Sequence, residues 1–149
     1  MKHLNANAMQ IDGTHYQPQV AGGLQHWDLC DQYNVGYLES AATKYLSRFR
    51  HKAGVKDLRK ARHFVLKLIE QRSAAGTDLR CPKVPASAIA QFLADNDITG
   101  PEIMYLTALW TWREVDMLRT VEISLEHFTE QYEAEQRAAE PGAGYVNQD

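Results

Sequence analysis

Two stretches of helical periodicity joined by a very short connection constrain this chain more than any other feature. In the first, Tyr37, Leu38, Ala41, Ala42, Tyr45, Leu46 and Phe49 recur at the three- and four-residue spacing that lines one face of an α-helix. In the second, Leu58, Ala61, Val65, Leu68 and Ile69 form a similar stripe. The first helix is expected to end near Lys52, with Gly54 placed to cap it in the left-handed conformation. Asp57 falls in the first turn of the second helix, where the positive helix end favours a carboxylate. Helices joined this closely pack antiparallel, as an αα-hairpin.

The flanking segments extend an all-α reading: a small helical bundle centred on the hairpin and forming a single domain over residues 1–149. Residues 1–23, rich in Asn, Gln and Gly, read as an extended arm. The motif-bearing region spans 24–72 and opens with a short helix carrying Leu24, Trp27 and Cys30 or Asp31, which Asn34 and Gly36 interrupt. Residues 73–85, with Gly76, Pro82 and Pro85, read as a linker or irregular loop. The C-terminal helices occupy 86–139: one from Ser87, one opened by Pro101 and Glu102, and a long one from about Val115. Pro141 and Gly142 end the last, and 140–149 is expected to be a frayed tail. Tyr105, Trp110, Trp112 and Phe128 are expected in the core or at a subunit interface, making the C-terminal helices candidates for building an oligomer.

Composition narrows the function. With 149 residues, 44% hydrophobic and 23% charged, the chain has ordinary globular make-up. Its net charge of −3 gives no global basic field of the kind that drives non-specific DNA binding, so any anion site must be local. Cys30 and Cys81 sit in no metal-ligand or redox spacing and read as free thiols of a reducing compartment. There is no apolar run long enough to span a bilayer and no signal-peptide pattern over Met1–Gln10, so a soluble, cytoplasmic protein is expected.

A local anion site is what the hairpin suggests. Lys44, Arg48 and Lys52 step along one edge of the first apolar stripe at successive helical turns. Like charges so placed repel by a few tenths of a kcal/mol per pair in water. The repulsion grows where the edge is desolvated, so an anion should sit against the row. Asp57 can pair with one member, and a phosphate with the others. Lys56, Arg59 and Lys60 add cations at the start of the second helix. The bland alternative is that these side chains only extend to water past the core.

Other candidates are weaker. His15 and Tyr16 offer an acid/base group and a stacking ring, or simply an anchor for the arm. His26, beside Trp27 and Asp28, reads as a helix-surface histidine. His51 and His63 share no metal spacing, so no metal site is expected. The chain lacks a Walker phosphate loop, a dinucleotide-binding glycine motif and a nucleophile elbow. It also lacks the paired Glu-x-x-Glu repeats of all-α nucleotide pyrophosphohydrolases. Glu130, Glu133 and Glu135 read as a solvated face.

The string Lys44-Tyr45-x-x-Arg48, followed by Lys52-x-Gly54-x-x-Asp57-Leu58-x-Lys60-Ala61 with His15-Tyr16 upstream, resembles a short bacteriophage family. That family is related to a phage nucleotide kinase that lacks a Walker loop and phosphorylates deoxynucleoside monophosphates such as dTMP and dGMP. The resemblance runs from His15 to about Ile69. Where the family commonly has Gly-Asn before the Lys-Tyr pair, this chain has Ser40-Ala41-Ala42-Thr43.

The resemblance implies a nucleotide-binding protein acting in a phage-infected bacterial host, with a nucleoside triphosphate as phosphate donor and a pocket completed between subunits of a homo-oligomer. It implies catalytic roles for His15, Asp57 and Arg48. It further implies contacts to the nucleotide from Tyr16, Lys44, Tyr45, Arg48, Lys52 and Lys60. Phosphoryl transfer requires chiefly positioning and charge neutralisation, which such cations can supply. Two other readings stay open: a non-catalytic nucleotide binder, such as a phage sponge for host cyclic-nucleotide signals, and a helical DNA- or protein-binding adaptor.

Overall fold

The computed structural model describes residues 22–142 except positions 75 and 77, together with Ala6. The expected arm therefore falls almost wholly outside the described residues, and so do His15 and Tyr16. Six α-helices follow in order: α1 (His26–Gln32), α2 (Tyr37–Arg48), α3 (Val55–Ser73), α4 (Ala86–Asp95), α5 (Glu102–Thr111) and α6 (Val115–Ala139). No strand occurs among the described residues, and the all-α architecture holds.

The hairpin forms as its apolar stripes require. Ala42 and Leu46 of α2 and Leu58, Ala61, Val65 and Leu68 of α3 are buried against one another. Each large aliphatic side chain so removed from water contributes roughly 1.5–3 kcal/mol. Arg48 meets Asp57 beside the turn, while Tyr37, at the other end of α2, meets Phe64 farther along α3. That register is antiparallel.

The turn is tighter than the periodicity predicts. Regular α2 stops at Arg48, and Phe49–His51 winds into a single 3-10 turn. Phe49 is driven inward, with its ring edge-on to Phe128 and Tyr132 of α6. Gly54 closes the turn: its N–H donates to the Phe49 carbonyl at 2.8 Å. Its φ of 55° is the positive value that glycine tolerates, but ψ is −123°, outside the left-handed helical basin expected for the cap.

α5 and α6 complete one core shared with the hairpin. Trp110 and Trp112 are fully buried, as are Leu106, Leu109, Leu118 and Leu125. Of the two places expected for the C-terminal aromatics, Tyr105, Trp110 and Trp112 take the core. The end of the connecting segment is an irregular stretch docked on the core. Val84 is buried and donates its N–H to the Trp110 carbonyl at 3.4 Å, and Arg113 donates to the Pro82 carbonyl at 3.3 Å. The acids of α6 are also engaged. Glu133 accepts from Arg59 and Arg137, and Glu122 from Arg62, so Glu133 is not merely a solvated charge.

Among the described residues no helix is long and apolar enough to cross a membrane.

Candidate functional site

The ring of Tyr45 is the meeting point of the hairpin's cations. Lys44 Nζ lies 4.6 Å from its centroid, Arg48 Cζ 4.7 Å and Lys60 Nζ 5.3 Å. Helical geometry produces this. Lys44 and Arg48 flank Tyr45 on α2, and the antiparallel register brings Lys60 of α3 across to the same ring. Each cation gains about 0.5–1 kcal/mol from the aromatic quadrupole when exposed, more when desolvated. A quadrupole does not cancel net charge, however.

Arg48 is neutralised and the two lysines are not. Arg48 Nε donates to Asp57 Oδ2 at 3.2 Å and Nη2 to Oδ1 at 3.1 Å, with the arginine nearly buried and the aspartate wholly so. Asp57 Oδ2 also accepts the Ala53 N–H at 3.3 Å, as a carboxylate in the first turn of a helix can. Neither Lys44 nor Lys60 has an ion pair among the described residues. Lys52 is exposed, beyond the end of α2. Arg59 is directed to Glu133. Of the hairpin's candidate residues, then, the structure brings together Lys44, Tyr45, Arg48, Asp57 and Lys60.

Beside them lies a recess of about 270 Å³ between α1, α2 and α3, walled by Trp27, Tyr37, Tyr45 and Phe64, with Lys44 and Ser40 on its lining. Tyr45 stacks on Phe64 with 5.9 Å between centroids and 18° between planes, and Tyr37 meets Phe64 edge-on at 6.1 Å. Trp27 is about half exposed and Tyr37 more so. Ligand pockets usually run roughly 300–1,000 Å³. This recess is a little smaller, with Lys44 on its lining.

Three of these walls were not legible as site residues. Tyr37 belongs to the apolar stripe, Trp27 to a short helix, and Phe64 to the margin of the second stripe. The one available signal was the position of Phe64, a helical turn after Lys60.

His26 corrects the sequence reading. It is not a surface histidine: its ring lies 6.2 Å from that of Phe92 and 6.1 Å from that of Trp110, and it lines the recess. Nε2 is 2.8 Å from Thr43 Oγ1, whose hydroxyl donates to the Glu39 carbonyl. Burial, and secondarily the Lys44 charge, lower the His26 pKa from 6.5 to about 3, so the imidazole is neutral at physiological pH. Cys30, beside it with Sγ 3.5 Å from Nε2, is a free thiol whose pKa is raised by burial.

Among the described residues no group of three His, Cys, Asp or Glu side chains could hold a metal ion. No protein-family model, curated protein or solved structure gives a significant match to this chain.

Proposed function

We propose that the chain binds nucleotides, seating the base of a deoxynucleoside monophosphate in the aromatic recess and its phosphate on Lys44 and Lys60. The observation that carries this is the pair of lysines from two helices, both without ion pairs among the described residues, gathered on the ring of Tyr45 beside that recess. An aromatic wall takes a base through its π-face, and a phosphate takes two ammonium groups as a local counter-charge. In this reading Arg48 and Asp57 are positioning residues that hold the ring and the two helices in register.

Phosphoryl transfer to the bound monophosphate from a nucleoside triphosphate, as the phage-kinase resemblance implies, extends the same reading. Binding without turnover, as in a nucleotide sponge, is favoured by the burial of Asp57, which is fully occupied by Arg48 and the Ala53 N–H.

Calorimetric titration with dTMP and dGMP tests the site. Saturable binding to the wild type, weakened about tenfold or more in the Lys44→Ala/Lys60→Ala double variant, is the expected result. Equal binding by both proteins, or none by the wild type, overturns it. Chromatographic detection of a diphosphate product after adding ATP then separates transfer from sequestration.

A further inference from the structure

A second basic region lies away from Tyr45. A groove of about 1130 Å³ runs between the end of α3, the approach to α2 and the segment 78–83. Its lining carries Lys67, Arg72, Arg80 and Lys83 against one carboxylate, Asp78. The two regions adjoin at Tyr37, which lines both.

The arginines make this groove unlike the rest of the surface. Every other arginine of the chain donates to a carboxylate or a backbone carbonyl. Arg72 and Arg80 alone donate to neither among the described residues, and both face this one concavity. Arg72 Nε is moreover shielded from solvent with no hydrogen-bond partner. A shielded guanidinium N–H left unpaired is costly, and such groups in folded proteins normally meet an acceptor. The negative end of α3 explains a cation at Arg72. It does not explain Arg80 and Lys83, which arrive on a separate extended segment and lack ion pairs among the described residues. Lys67 is held only by an exposed pair with Glu70, the kind that contributes little and is readily exchanged.

We infer that this groove is an anion-binding site for a polyphosphate chain, either inorganic polyphosphate or the tail of a nucleoside triphosphate. Four cations drawn from α3 and a separate segment offer more charge than one phosphate neutralises, whereas linked phosphates present acceptors along a line. Bidentate arginine forks suit those oxygens, and lysine adds compact charge. A long nucleic-acid strand fits less well. The chain is net acidic and offers no global basic field to a polyanion extending beyond the groove. The inference uses no residue of the lysine pair on Tyr45.

The test is titration of the full chain with sodium tripolyphosphate at low ionic strength, comparing wild type with Arg80→Glu/Lys83→Glu. Both positions are exposed and make no ion pair among the described residues, so the variant should keep the wild-type melting temperature. The expected result is saturable binding weakened roughly tenfold or more by the double reversal, with orthophosphate far weaker than tripolyphosphate. Retention of tripolyphosphate binding in the Lys44→Ala/Lys60→Ala variant would show that the groove acts independently of the Tyr45 recess. Competition by ATP identifies a nucleoside triphosphate as occupant, and failure of ATP to compete identifies the free polyphosphate. No binding by the wild type, or equal binding by the charge-reversed variant, overturns the proposal. So does a single-stranded oligonucleotide that binds more tightly than tripolyphosphate and gains affinity with length.

Discussion

Asp57 accepts from Arg48 through both carboxylate oxygens, while the guanidinium carbon of the same arginine lies 4.7 Å from the centroid of the Tyr45 ring. One side chain thereby links the hairpin turn to the candidate site. The pair is almost fully removed from water, which makes its integrity a matter of stability before it is one of function.

Breaking that pair from either side strands a buried charge. Asp57→Ala and Arg48→Ala are each expected to cost about 3–5 kcal/mol of unfolding free energy. Urea denaturation measures it. A loss below about 1 kcal/mol for both variants would show that the pair does not hold the turn. Loss of ligand binding in Arg48→Ala is therefore not by itself proof of a ligand contact, and the lysine variants are the cleaner probes.

Trp112 and Glu39 form another buried polar link, with the indole N–H donating to Glu39 Oε1 at 3.1 Å. Glu39 Oε2 has no hydrogen-bond partner, so among the described residues the indole is the carboxyl group's one side-chain donor. Trp112→Phe should destabilise by roughly 2–4 kcal/mol, combining lost packing with an unsatisfied buried carboxyl. Adding Glu39→Met should recover part of that loss. Strict additivity of the two substitutions would show that the bond is not what couples them.

The neutral His26 sets a pH dependence. Its folded pKa of about 3 lies below the ordinary 6.5, so the unfolded chain takes up the proton first as pH falls. The associated stability is fully present above pH 6.5 and is lost progressively as pH drops from there toward 3. The slope is at most about 1.4 kcal/mol per pH unit. His26→Gln should flatten the urea midpoint against pH between about 6.5 and 4.5, where few carboxylates yet titrate. An unchanged slope in that window would mean that the imidazole ionises freely in the folded state.

The two thiols should differ in reactivity. Cys30 is buried with a raised pKa, while Cys81 is partly exposed, its Sγ 3.5 Å from the Arg113 carbonyl. A thiol reagent should modify Cys81 in the native protein and Cys30 only on unfolding, because the thiolate is the reacting species. Mass spectrometry of the labelled peptides reads this directly, and rapid native labelling of Cys30 would contradict the packing around α1.

Local chemistry carried much of the fold. The three- and four-residue spacing of apolar side chains dictated α2 and α3 before any tertiary contact was known, and the short connection between them left the antiparallel pairing as the natural one. The cation row and Asp57 were visible for the same reason, since spacing along one helix is a distance in space. Tertiary structure alone decided what each cation does. Arg50 is tied to Glu102, Arg59 to Glu133 and Arg62 to Glu122, across separations that no periodicity encodes. Contact with Phe92 of α4 and Trp110 of α5 turned His26 inward, and the meeting of α1, α2 and α3 assembled the aromatic recess. A repeat reports which residues share a face; only the packing of that face against distant segments determines which charges find partners and which are left to meet a ligand.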